Sequence, residues 1–246
     1  MLLLHGWGSH VDHMRPLAQG LSDAYRTHAI DLPGHGASPP PPVPWGLPEH
    51  ASLLTSYIKT AIQRPVSIVG HSNGGRIALY MASSTDDGSD WIERLALISP
   101  SGIQPQRSWR YHLRSRAARL LKAPFQVLPD PLKAPALDWL RHSALWKLLG
   151  SSDYNALDGV MRETFVKTVT HHLDDVVHRI SVPTLLFWGT EDAAISRRQM
   201  ERLEAPLSDC GLVELDGAGH YGQLDALPTV LAGTRTFLER TTTATA

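Results

Sequence analysis

Pro65-Val66-Ser67-Ile68-Val69-Gly70-His71-Ser72-Asn73-Gly74-Gly75-Arg76-Ile77-Ala78-Leu79 decides how the rest of the chain is read. A short apolar run enters Gly-x-Ser-x-Gly and passes without pause into residues with helical spacing. A strand that turns directly into a helix holds the residue at the turn in a strained conformation, so the neighbours of that residue must be small. Gly70 and Gly74 meet that need. The turn points the Ser72 hydroxyl at the open end of the sheet. It also sets the N–H of Asn73 at a helix N-terminus, where partial positive charge favours an oxyanion. Ser72 is therefore the candidate nucleophile. Its context carries the assignment, because the five-residue pattern alone also describes a glycine-rich turn with a bystander serine.

A serine nucleophile needs a base, and the base needs an orienting carboxylate, in the chain order Ser, Asp or Glu, His. Thr184-Leu185-Leu186-Phe187-Trp188-Gly189-Thr190-Glu191-Asp192 reads as a buried strand ending in an acidic turn, with Asp192 as the candidate acid and Glu191 as the fallback. Gly217-Ala218-Gly219-His220-Tyr221 follows the next strand and makes His220 the candidate base. The chain has 13 histidines, so position decides, and ligands of such sheets sit at the carboxyl ends of the strands. His5, Gly6, His71 and Tyr221 are expected to line or brace the site. His35 and the His171-His172 pair read as bystanders, the pair lacking an acidic or Cys partner at metal-ligand spacing.

Working outward, short apolar runs recur at Leu2-Leu3-Leu4, Ala29-Ile30, Leu95-Ala96-Leu97-Ile98 and Leu212-Val213-Glu214-Leu215. Helical spacing falls between them, from Glu49 to Gln63, Gly75 to Ser83, Ser196 to Glu204 and Pro228 to Glu239. The alternation predicts an α/β fold, a mostly parallel sheet covered by helices on both faces. The rhythm breaks between about Ile103 and Ile180, where Trp109 to Leu121, Ala136 to Leu149 and Gly159 to Thr170 all suit helices. Residues 1–102 and 181–246 are thus expected to form the core and 103–180 a helical cap. Pro124, Pro129, Pro131 and Pro135 separate the first cap helix from the next, and Pro39 to Pro42 with Pro44 and Pro48 read as a stiff surface loop.

The cap carries Arg107, Arg110, Arg114, Arg116, Arg119 and Lys122 without an acidic residue among them. A solvated helix face explains that run more simply than recognition of a substrate carboxylate. Trp109, Tyr111, Trp139, Trp146 and Phe165 suit cap packing first and an acyl pocket second. A net charge of -1, from 23 basic and 24 acidic residues, gives no reason to expect nucleic acid or an anionic membrane as partner and favours a small-molecule substrate. The single Cys210 excludes an internal disulfide and suits a reducing, cytoplasmic setting. The start, Met1-Leu2-Leu3-Leu4-His5-Gly6, reads as a strand, and Thr241 to Ala246 as a frayed tail. Neither a metal nor a cofactor is expected.

Together, Leu4-His5-Gly6-Trp7-Gly8, Asp31-Leu32-Pro33-Gly34-His35-Gly36-Ala37-Ser38, the serine turn, the Trp188 to Asp192 turn and Gly219-His220 resemble the α/β-hydrolase superfamily over nearly the whole chain. The resemblance implies an oxyanion hole made by the N–H groups of Trp7 and Asn73, which suits the turning freedom of Gly6 and Gly8. It further implies acyl transfer to water, with esters or lactones as substrates. Within the same family, this triad also hydrolyses carbon–carbon bonds of vinylogous diketones. Halide and epoxide chemistry would place Asp where this chain has Ser72. A non-catalytic small-molecule receptor and an acyltransferase are the readings from other classes. Family members usually carry an antiparallel hairpin ahead of the first strand, and Met1 here stands almost on that strand. Without the hairpin, Thr27 to Asp31 is expected to form an edge of the kind that invites dimerisation.

Overall fold

A computed structural model describes residues 1–85, 88–106 and 159–239, together with Pro129 and Leu157. The expected helices Trp109 to Leu121 and Ala136 to Leu149, the arginine run and the C-terminal tail lie outside the described residues.

Six strands form one sheet: β1 (Leu2–Leu4), β2 (His28–Ile30), β3 (Val66–His71), β4 (Ile92–Ile98), β5 (Thr184–Gly189) and β6 (Cys210–Leu215). Their order is β2-β1-β3-β4-β5-β6, and every pairing is parallel. The Thr27 to Asp31 segment thus supplies the edge strand of the described sheet. Helices cover both faces. On one side α2 (Leu47–Tyr57), α3 (Asn73–Ser83) and α5 (Arg197–Glu204) bury Leu54, Ile77, Leu79, Met200 and Leu203 against Leu2, Leu4, Ile68 and Leu97. On the other, α1 (Arg15–Leu21) and α7 (Leu227–Glu239), which follows the short α6 (Gly222–Asp225), bury Leu17, Leu21, Val230 and Phe237 against Leu3, Val69, Ala96 and Phe187. The alternation of strand residues between these two clusters is the period-two pattern of a sheet buried on both faces.

Three local departures from the expected elements have physical causes. Helix α1 was not anticipated, because it is seven residues long with Pro16 in its first turn and Gly20 near its end. Gly20 is there for close packing, since a Cβ would sit 2.6 Å from a Leu231 methyl of α7. The helix expected from Glu49 to Gln63 begins at Leu47, with Pro48 in the first turn rather than in the preceding loop, a position where its missing N–H is harmless. It then widens into a π-helical turn over Ile58–Ile62 and stops at Gln63, whose φ is 62°.

In the expected cap, Gly159–Thr170 is helical and is named α4. The crossings into and out of this region are fastened together. Leu173 N donates to Gly102 O at 3.0 Å and Gln104 N to Asp174 Oδ2 at 2.9 Å. Arg202 of α5 joins Gln104 O at 2.7 Å and pairs with Asp174. Ile103, Leu173, Val177 and Ile180 are buried in the sheet's own core.

Candidate active site

Ser72 stands between β3 and α3 with φ 48° and ψ -108°, a left-handed conformation that few non-glycine residues adopt. The strain is held in place from several sides. Ser72 N donates to Ile98 O at 3.0 Å, and the Ser72 carbonyl accepts from Arg76 N at 3.0 Å and Ser101 N at 3.1 Å. A Cβ on Gly70 would lie 2.8 Å from Gly75 backbone, and one on Gly74 would lie 2.4 Å from Leu4 O, so neither position admits a larger residue without moving main chain. Asn73 is buried as the first residue of α3.

The loop after β1 lies directly against this turn. A Cβ on Gly6 would approach His71 Nδ1 to 2.8 Å and Ser72 Cβ to 3.2 Å, which sets the Gly6-Trp7 backbone beside the serine. His5 is fully buried and braces this loop: its Nδ1 donates to Gly6 O at 2.7 Å, and its Nε2 accepts from Leu32 N at 2.9 Å. Burial drives its pKa down to about 4, consistent with that neutral tautomer. Asp31 organises the facing loop, accepting Val11 N at 2.8 Å on Oδ1 and Ala37 N at 2.9 Å on Oδ2.

His220 Nδ1 donates to Asp192 Oδ2 at 2.9 Å. The Asp192 side chain is wholly buried, that of His220 22% exposed. Asp192 Oδ1 accepts from Ala194 N at 2.7 Å and Ile195 N at 2.9 Å. Burial pulls the Asp192 carboxyl upward, but His220, the Ile195 amide and the Ser99 hydroxyl outweigh it and hold the group below its ordinary range. Glu191, the fallback acid, is exposed, and its main-chain N–H donates to Ala218 O at 3.0 Å. The two loops fit closely because residue 189 is glycine: a Cβ there would lie 2.3 Å from both Ala218 O and Gly219 O. Gly219 N is pinned by Asp225 Oδ2 at 2.9 Å and Gly217 N by Thr190 Oγ1 at 2.9 Å.

His71 joins the serine turn to the histidine loop. Its Nε2 donates to His220 O at 2.9 Å, and its ring lies 4.9 Å from the His220 ring. Burial first, and the neighbouring His220 second, lower its pKa to about 3, so it is a neutral strut. Tyr221 is 38% exposed and lies over His71 at 5.0 Å between ring centroids, with His13 at 5.8 Å. On the opposite flank Phe165 of α4 packs on Trp7 at 5.0 Å, and His35 lies edge-on to Trp7 at 4.8 Å. His35 is therefore part of the wall rather than a bystander, as is Met161, whose sulfur fills the space where a Gly34 side chain would be. His171 is exposed and packs on Tyr80 at 5.4 Å, away from these groups.

Sequence reasoning missed Ser99, which has φ 43° at the end of β4, and Arg76, which is 6% exposed. Neither carries a motif; a cation one helical turn after Ser72, in the otherwise apolar Gly75-Arg76-Ile77-Ala78-Leu79, was the available signal. Among the described residues, no group of three His, Cys, Asp or Glu side chains is arranged to hold a metal ion, and no helix is long and apolar enough to cross a membrane.

Residues 1–232 match the model of the alpha/beta hydrolase family. A pimeloyl-acyl-carrier-protein methyl ester esterase of Neisseria meningitidis serogroup C is 27% identical, over 96% of this chain and 92% of its own. The esterase of that name from Chromobacterium violaceum is 29% identical, over 89% of this chain and 86% of its own. The crystal structure of an enol-lactonase from Burkholderia xenovorans LB400 superimposes with a TM-score of 0.70 at 20% identity, covering 97% of this chain and 90% of that one, a likeness of fold.

Proposed function

The chain belongs to the alpha/beta hydrolase family, and from that premise we propose that it is a serine hydrolase of carboxylic esters with Ser72, His220 and Asp192 as its triad. The observation that carries the reading is the strained Ser72, with φ 48°, served from the next loops by a histidine hydrogen-bonded to a buried carboxylate at 2.9 Å. In the proposed reaction Ser72 Oγ attacks the ester carbonyl while His220 Nε2 takes its proton. Asp192 holds the Nδ1–H tautomer and stabilises the imidazolium that forms. The N–H groups of Trp7 and Asn73 receive the developing oxyanion, the latter with the helix N-terminus behind it. His220 returns the proton to the departing alcohol, then takes one from a water that attacks the acyl-enzyme. The acid leaves and Ser72 regains its proton.

The relatives act, by name, on a methyl ester whose acyl chain is borne by acyl-carrier protein. A methyl ester of a carrier-linked acyl chain is accordingly the first physiological substrate to test, beside simple esters, lactones and ring-fission diketones. An activated phosphonate is expected to add one mass label to the Ser72 peptide, and p-nitrophenyl esters to turn over in wild type and not in Ser72→Ala. Absence of label on folded protein sinks the hydrolase reading and favours a receptor. Faster product formation with added alcohol than with water alone identifies an acyltransferase.

A further inference from the structure

Helix α4, which carries Phe165 and Met161 to the Trp7 side of the site, is held in an unusual way. Its two buried residues are Thr164 and Thr168, so little apolar surface fixes it to the core. Polar anchors do so instead. Trp45 N donates to Thr164 Oγ1 at 3.1 Å, Lys167 Nζ to Pro44 O at 2.8 Å, and Arg76 Nη1 to Thr168 O. The last four carbonyls of a helix have no partner within it and carry the negative end of its dipole, so the guanidinium caps α4 where a cation is best placed.

Arg76 reaches the serine as well. Its main-chain N–H makes the ordinary first-turn helix bond to the Ser72 carbonyl at 3.0 Å; its side chain reaches the turn through Ser101, Nε donating to Ser101 Oγ at 3.2 Å while Ser101 N donates to that same Ser72 carbonyl at 3.1 Å. Removing a guanidinium from water is costly unless the site gives back several directed bonds. Here those bonds join two elements that no strand pairing connects.

We propose that Arg76 is a positioning residue that registers α4 on the Ser72 turn and thereby fixes the wall, Phe165 and Met161 beside Trp7, against which the acyl chain of the substrate lies. The proposal rests on the reading of Ser72 as nucleophile. Its consequence is a separation of effects. An acetyl ester needs only the triad and the oxyanion donors, whereas a longer acyl chain needs the wall in register.

The test compares wild type with Arg76→Gln, Arg76→Lys and Ser101→Ala on p-nitrophenyl acetate and octanoate, with phosphonate labelling and hydrogen exchange of the 159–170 peptide. Loss of a buried hydrogen bond from a charged group is expected to raise the octanoate KM of Arg76→Gln by about tenfold while acetate kcat falls less than about threefold. Arg76→Lys restores most of the octanoate KM, Ser101→Ala shows a smaller rise of about threefold, and the α4 amides exchange faster in Arg76→Gln with the β3 amides unchanged. Equal losses on both esters with unchanged α4 exchange overturn the proposal, since Arg76 would then support only the turn. Should Arg76→Gln not fold, Ser101→Ala carries the test, and an octanoate KM there equal to wild type overturns it. Failure of wild type to label at Ser72 overturns the nucleophile assignment instead.

Discussion

Asp192 illustrates how much a single side chain does here. Its Oδ1 is spent on the Ala194 and Ile195 amides, which fix the carboxylate, and its Oδ2 on His220 Nδ1, which fixes the imidazole. Asp192→Asn preserves the volume but offers no anion to the Nδ1–H tautomer. Turnover of a p-nitrophenyl ester is expected to fall about 10⁴-fold at neutral pH with Ser72 still in place; a loss below about tenfold would assign the acid to Glu191. The acid proposed for the triad could be named from the sequence because a buried strand that ends in Gly-Thr-Glu-Asp leaves few places for one. Choosing Asp192 over Glu191 was a matter of one residue, and the geometry separates them by burial. Ser99 was not legible. Its hydroxyl helps hold Asp192 ionised from a different strand, and nothing in Ile98-Ser99-Pro100 announces that the two strands are neighbours.

Between elements, the end of β5 meets the main chain of the histidine loop in close contact. Gly189→Ala is expected to lower stability by roughly 2–4 kcal/mol, because the new Cβ would meet two carbonyl oxygens at 2.3 Å and main chain must move to admit it. Since that main chain leads into His220, kcat on a short ester should drop along with the urea midpoint; full activity in a variant of unchanged midpoint would show that the loop yields freely. The sequence conveyed each strand and the helices that follow the serine and acid turns, since their apolar runs are buried on both sheet faces or form a long stripe. It did not convey α1, too short to show a stripe, nor the π-helical turn at Ile58–Ile62, which depends on how α2 closes against its surroundings.

For the molecule as a whole, the sheet buries histidines as neutral groups. His5, His35, His50 and His71 all have pKa values driven below the ordinary 6.5 by burial, to about 4 for His5 and about 3 for His71. An unfolded chain protonates these rings near pH 6.5, while the folded chain does so only at lower pH, about 4 at His5 and about 3 at His71. The unfolded state therefore binds more protons in that window, and stability declines as pH falls from about 6.5 toward 4, by about 1.4 kcal/mol per pH unit for each fully neutral ring. Urea unfolding between pH 7 and pH 4.5 should show this slope, and His71→Asn should reduce it by close to one ring's share. A stability that stays level across this range would mean that these rings accept protons without unfolding.

The fastening at Gly102-Leu173 and Gln104-Asp174 has a meaning for how such a molecule diversifies. Gln104 and Asp174, 70 positions apart, are held by a hydrogen bond to one another and by Arg202, so the core itself brings the two ends of the intervening stretch together. Closure entropy grows only slowly with loop length, so replacing that stretch with one of another length changes the closing term by about 0.6 kcal/mol per doubling. Substrate choice is thereby transplantable: a chimera that exchanges residues 105–158 for those of another hydrolase, with α4 and its anchors retained, should take on the donor's preferences and still label at Ser72 with an activated phosphonate.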